Sequence, residues 1–156
     1  MAKTEDLPMD KIGEWHLNKL CEYVVMGYYD EAYELVKNDS EKEFMDKFAQ
    51  LYQHIDDREV VLSMYNFMLH SIFQEELAWK HFMIADFLIY NPSALVINDG
   101  VYVIALDHMR QALKLDNNNI IYLEGVLSFE GVPGVELSDE EAEKIRSKIK
   151  RIKSNG

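Results

Sequence analysis

The side chains able to bind a metal ion are spread along the chain without a recognisable ligand pattern. No two histidines are four residues apart, no His-Glu-x-x-His motif occurs, and no histidine follows a glutamate by three residues. Because metal ligands come in clusters, each histidine is interpreted as a partly buried polar residue. The sequence therefore predicts no metal site. The five histidines are His16, His54, His70, His81 and His108.

Nucleophilic catalysis is not indicated either. Cys21 lies in a helical pattern with no motif around it, and Ser71 and Ser128 lack the glycines of a nucleophile elbow. The sequence has no phosphate-binding glycine loop, dinucleotide fingerprint or kinase motif. The acidic pairs Asp56-Asp57 and Glu75-Glu76 fall where helices are expected to begin, and acids suit a helix N-terminus. We predict that the chain is not an enzyme, with no catalytic residues and no cofactor.

The densest group of functional side chains is acidic and rich in tyrosine. Between Glu22 and Glu59 there are eleven acidic residues, four basic residues and five tyrosines. Carboxylates pair with arginine and lysine, and tyrosine supplies contact area at low entropic cost. An equally open interpretation places most of these tyrosines in the core. The residues predicted to bind a partner are Tyr28, Tyr29, Asp30, Glu31, Glu34, Asp56, Asp57 and Glu59.

Charge is unevenly distributed along the sequence. The formal net charge is −12, yet six of the 16 basic residues lie between Lys144 and Lys153. Residues 1–138 hold 24 acidic and ten basic side chains, a formal −14. Such a body repels nucleic acid and attracts cationic partners, although an acidic surface also serves solubility alone. We expect a basic protein partner and no nucleic-acid partner.

Length and composition predict one globular domain over residues 1–156. The hydrophobic fraction is 48%, and residues 1–8 are expected to be a flexible tail. No apolar run reaches the roughly 20 residues that span a bilayer, so no membrane association is expected. The N-terminus lacks a basic-then-apolar secretion signal, and a single cysteine cannot form an internal disulfide. These features favour a cytoplasmic protein, either monomer or homodimer.

The apolar spacing predicts an all-α protein of seven or eight antiparallel helices, without β-strands. Capping boxes at Ser40/Glu43 and Ser138/Glu141 mark two helix starts, while residues 130–138 form a loop before the last helix. Residues 93–99 fit either a short helix or a loop. The helix from Glu76 to Tyr90 is apolar nearly all round and is expected to be central. The other predicted helices begin near Asp10, Tyr29, Ser40, Glu59, Gly100, Ile120 and Ser138.

The segment from Gly100 to Asn119 has an apolar stripe at three- and four-residue spacing. Its predicted inward residues are Tyr102, Ala105, Met109, Ala112 and Leu113, with Asp107, Arg110 and Lys114 outward. This stretch resembles the second helix of a tetratricopeptide (TPR) repeat, although Asn117 stands where the repeat usually has proline. The motif Gly-x-Tyr-x-x-Ala recurs at Gly27, 73 residues earlier. The resemblance implies a TPR-like array or an irregular bundle that binds proteins.

A second resemblance concerns function. The segment from Ala78 to Ile152 resembles small bacterial helical proteins of toxin-neutralising loci. The resemblance is carried by an Ile-x-Tyr-Leu-Glu helix, a proline-containing loop and the sequence Leu-Ser-Asp-Glu-Glu-Ala at the start of the last helix. With the acidic body, it implies an immunity protein or antitoxin that neutralises a cationic toxin. The alternative is a TPR-type adaptor or regulatory module that binds a peptide or a transcription factor in a helical groove. A third possibility is a structural homodimer formed through the apolar helix 76–90.

Overall fold

The computed structural model describes residues 9–53, 58–91 and 100–156, and all regular structure within these ranges is helical. The prediction of an all-α protein with seven or eight helices is confirmed. The helices are α1 (Met9–Met26), α2 (Tyr29–Glu34), α3 (Glu41–Gln53), α4 (Arg58–Gln74), α5 (Ala78–Tyr90), α6 (Gly100–Leu115), α7 (Ile120–Leu127) and α8 (Asp139–Ser154). The predicted tail 1–8 and the segment 93–99 lie outside the described residues.

The helices form two compact units, Met1–Phe73 and Gln74–Gly156. The first unit contains α1 to α4 up to Phe73, and the second contains α5 to α8. The formal charge of residues 1–73 is −8 and that of residues 74–156 is −4. That the whole chain is one domain stays a prediction.

The core of the first unit is built around aromatic rings. Phe44 of α3 stacks on Phe67 of α4, with ring centroids 6.1 Å apart and an interplanar angle of 7°. Apolar residues of all four helices are buried with them, as their three- and four-residue spacing requires. The other buried apolar residues here are Leu20, Val24, Ala32, Val36, Phe48, Leu51, Met64 and Met68.

The turn between α1 and α2 depends on a glycine. Gly27 has a φ of +77°, and the N–H groups of Gly27 and Tyr28 donate to the carbonyls of Val24 and Tyr23, at 3.2 and 2.8 Å. Because Gly27 adopts the left-handed backbone conformation after the last residue of α1, these N–H groups reach carbonyls that the helix would otherwise leave unpaired. This turn therefore ends α1 at Met26 and is followed by α2 at Tyr29, where the sequence predicts a helix start.

Replacing Gly27 with alanine should lower the free energy of unfolding by about 1 kcal/mol, because a Cβ is strained at positive φ. No other atom lies within 4 Å of that Cβ position, so strain and not a clash sets the cost. Urea denaturation followed by circular dichroism measures the change. The matched control is Gly27→Asn, which should lose less since asparagine tolerates this conformation. An alanine variant as stable as the wild type would contradict the prediction.

The second unit is organised by α5 and α6, which pack along one another. Only residues 91–99 connect them, and a short connection favours antiparallel neighbours. As predicted, α5 is buried over most of its surface. In α6, Ala105, Met109 and Ala112 are buried as predicted. A Cβ on Gly125 of α7 would lie 2.6 Å from Sδ of Met109, so α7 approaches α6 closely at this glycine.

The inward face of α6 is rotated from the predicted one. Val101 and Leu106 are buried, whereas Tyr102 and Leu113 are only half-buried. Arg110, predicted to point outward, is half-buried because it pairs with Glu141 of α8. Both sets of positions satisfy three- and four-residue spacing, and tertiary packing decides between them.

The two predicted capping boxes differ in the structure. In the first, the N–H of Ser40 donates to the Glu43 carboxylate at 2.8 Å, and the Glu43 N–H donates to Ser40 Oγ at 3.3 Å. The backbone N–H and the hydroxyl of Ser40 lower the pKa of Glu43. In the second, Ser138 Oγ accepts from the Glu141 N–H, but the carboxylate of Glu141 binds Arg110 through two hydrogen bonds of 3.0 and 2.7 Å. The second box is thus only half formed.

None of the described helices has the length and apolar character needed to cross a membrane.

Candidate functional site

The short helix α2 presents a row of carboxylates to solvent. Asp30, Glu31 and Glu34 are exposed, while Ala32 on the opposite side is buried against the core. The burial of Ala32 fixes the rotation of α2, and this rotation directs the three acids outward. Two of them lie in the first turn, where acids complement the positive end of the helix. Sequence and packing therefore agree on an acidic face here.

Exposed apolar side chains precede these carboxylates at the end of α1. Val25 and Met26 are exposed, and Tyr28 is 50% exposed with its ring edge-on to Tyr23, centroids 6.4 Å apart. Protein interfaces commonly have large apolar side chains at their centre and polar or charged ones at their rim. We call Val25, Met26, Tyr28, Asp30, Glu31 and Glu34 the acidic surface.

Tyr29, also predicted to bind a partner, has a different environment. Its ring is half-buried and packs against Phe67 and His70, with centroids 6.4 and 6.1 Å away. Its hydroxyl lies 2.8 Å from Ser63 Oγ, which donates to the carbonyl of Val24. Since that hydrogen of Ser63 is already used, Tyr29 donates to Ser63. The structure thus gives Tyr29 a packing role that ties α2 to α4.

The carboxylates of the acidic surface differ in their partners. Asp30 lies 3.1 Å from Nε2 of His70, and Glu34 accepts from Lys37 at 2.6 Å. Glu31 has no ion-pair partner among the described residues. Of the remaining predicted site residues, Asp56 and Asp57 lie outside the described residues, as does the side chain of Glu59 in the first turn of α4.

A second polar group, which the sequence did not predict, is partly buried in the second unit. Nδ1 of His81 in α5 lies 2.9 Å from Nδ1 of His108 in α6, and His81 Nε2 lies 3.0 Å from Glu76 Oε1. His81 is only 5% exposed. We call His81 and His108 the histidine pair.

The hydrogen bond to Glu76 limits where the protons of the histidine pair can lie. An ionised carboxylate can only accept, so Nε2 of His81 donates to Glu76. Across the 2.9 Å contact between the two Nδ1 atoms, one of them carries the proton that the other accepts. Burial, reinforced by the charge of His81 and opposed by Asp107, lowers the pKa of His108 to about 4. His108 is therefore uncharged near neutral pH.

Lys80, next to His81, is buried as well. Its Nζ donates to the carbonyl of Glu75 at 2.8 Å and lies 5.7 Å from the ring centroid of Trp79. Burial lowers the pKa of Lys80, partly offset by the nearby Glu75 carboxylate. This ammonium is thereby held at the start of α5, where it caps the preceding turn.

The described residues offer little for metal or thiol chemistry. The Nδ1 atoms of His81 and His108 form a hydrogen bond with each other. In these ranges, no group of three or more histidine, cysteine or acidic side chains could hold a metal ion. Burial raises the pKa of the Cys21 thiol, which makes the reactive thiolate less available.

Comparisons with protein-family models, with curated protein sequences and with solved structures gave no match for this chain.

Proposed function

We propose that the protein is a non-catalytic protein-binding domain whose acidic surface binds a cationic protein. The observation that supports this most directly is the exposure of Tyr28, Glu31 and Glu34 within seven residues of the chain. Tyrosine at the centre of an interface contributes a large share of binding energy, and surrounding carboxylates pair with arginine or lysine. The formal −8 of residues 1–73 would steer a basic partner towards this surface.

Within that class, we propose an immunity protein or antitoxin that neutralises a cationic toxin. A tight inhibitor of a basic enzyme needs a preformed acidic surface and no chemistry of its own. The core contacts of Tyr29 and Ala32 hold α2 rigidly in place, which reduces the entropy lost on binding. The association rate should fall steeply with salt, because the attraction acts through solvent.

Reversing two charges of the acidic surface should abolish capture of the partner. In the double variant Glu31→Lys/Glu34→Lys, one unpaired and one lysine-paired glutamate become repulsive, and we expect about 100-fold weaker binding. The measurement is capture of basic proteins from an extract of the source cells, followed by titration calorimetry with the protein that is retained.

The matched control is Glu136→Lys/Glu140→Lys. It makes the same change in net charge on the second unit, where Glu140 pairs with Lys144 as Glu34 pairs with Lys37. This control should bind normally, and Tyr28→Ala should bind about tenfold or more weakly without any change in charge. If both double variants lose equal affinity, or if the retained protein is acidic, the proposal is wrong.

A further inference from the structure

A groove of about 740 Å³ lies between α7 and α8. None of its lining residues belongs to the acidic surface or to the histidine pair. Its floor is aliphatic, from Leu127 and Ile149, and both side chains are half-buried. Its polar lining consists of Glu124, Glu143, Arg146, Ser147, Lys150, Lys153 and Ser154. The volume falls in the range of about 300–1,000 Å³ that is usual for ligand sites.

The groove is long. Its lining residues on α8 extend from Glu143 to Ser154 and recur every three or four positions, at Arg146, Ser147 and Lys150. Eleven residues of helix correspond to about 16 Å. That length fits about five residues of extended chain or three turns of helix better than a compact small molecule.

The groove is lined by three basic and two acidic residues, a formal charge of +1. Both acids in it are already paired, Glu124 with Lys153 at 3.0 Å and Glu143 with Arg146 at 3.4 Å. Lys150 has no acidic partner among the described residues, and neither do Lys148 and Arg151 beside it. These three cations of α8 are thus not neutralised within the described residues, although the chain as a whole is acidic. Arg146, by contrast, pairs with Glu130 as well as with Glu143.

We propose that the α7–α8 groove binds an acidic peptide segment of a partner protein, with an aliphatic side chain of that segment on Leu127 and Ile149. The carboxylates of the segment pair with Lys150, and they compete with Glu124 for Lys153. This site has the opposite charge from the acidic surface. It is independent of the proposed function and takes a different partner.

The test uses a fluorescein-labelled twelve-residue peptide made of glutamate and leucine, titrated with the full chain and followed by anisotropy. Lys150→Glu should weaken binding at least tenfold, because it replaces an attractive charge with a repulsive one. Lys114→Glu makes the same charge change at an exposed position of α6 outside the groove and should leave binding within twofold. Ser147→Trp fills the groove without changing the charge and should also weaken binding at least tenfold.

Two probes separate the acidic segment from other ligands. A lysine–leucine peptide of equal length should show no saturable binding, and its tight binding would overturn the proposal. A labelled single-stranded 20-mer DNA tests whether the cations hold phosphate instead. DNA binding that depends on Lys150, without binding of the acidic peptide, would also overturn the proposal, as would equal effects of Lys150→Glu and Lys114→Glu. Circular dichroism confirms that each variant remains helical.

Discussion

Replacing Phe67 with alanine should destabilise the first unit by about 3–5 kcal/mol. Phe67 is 1% exposed, stacks on Phe44 and also contacts the ring of Tyr29. The substitution therefore removes the transfer energy of a full aromatic ring and leaves a cavity between α3 and α4. Since domains are stable by only about 5–15 kcal/mol, this loss is a large part of the total. Urea denaturation, followed by near-ultraviolet and far-ultraviolet circular dichroism, measures it.

Phe73 provides the matched control on the same helix. It is 83% exposed, so Phe73→Ala should change the free energy of unfolding by no more than about 0.5 kcal/mol. If Phe67→Ala does not fold, Phe67→Leu tests the same contact with a smaller expected loss of about 1–1.5 kcal/mol. Equal effects at positions 67 and 73 would show that the Phe44–Phe67 stack does not organise this core.

Local signals in the sequence predicted the helix boundaries well. The positive φ of Gly27 and the reciprocal bonds of Ser40 and Glu43 depend on neighbouring residues alone, so each could be inferred from types and spacing. Glu141 shows the limit of that reasoning. Its spacing from Ser138 predicts a full capping box, yet Arg110, 31 residues earlier, takes the carboxylate. A distant partner of opposite charge outweighs a local hydrogen bond.

The candidate sites were predicted to different extents for the same reason. The exposed acids of α2 follow from the helical period once Ala32 is placed inside. The contact of His81 with His108 requires the register of α5 on α6, and no local pattern determines it. A polar residue in a helix that is otherwise apolar was the available signal, because a buried polar group needs a hydrogen-bond partner. The packing role of Tyr29 likewise could not be predicted from sequence, because it depends on the position of Ser63 in α4.

Acidification should destabilise the second unit through His108. Its pKa in the folded chain is about 4, below the unfolded value of 6.5, mainly because burial disfavours the cation. Between these two values the unfolded chain binds a proton that the folded chain does not. The stabilising contribution is therefore complete above pH 6.5 and is lost as the pH falls to about 4. After allowance for partial exposure of the ring, the loss is about 2–3 kcal/mol.

The measurement is the free energy of unfolding in urea at several values between pH 7 and pH 4. His108→Gln keeps a hydrogen-bonding side chain for His81 but cannot be protonated, so its stability should decline less steeply than that of the wild type over this interval. Leu113→Ala on the same helix is the control: it lowers stability, leaves the histidine pair intact and should keep the wild-type slope. Carboxylates that titrate below pH 5 contribute equally to all three proteins. Parallel curves for the wild type and His108→Gln would therefore mean that His108 does not resist protonation.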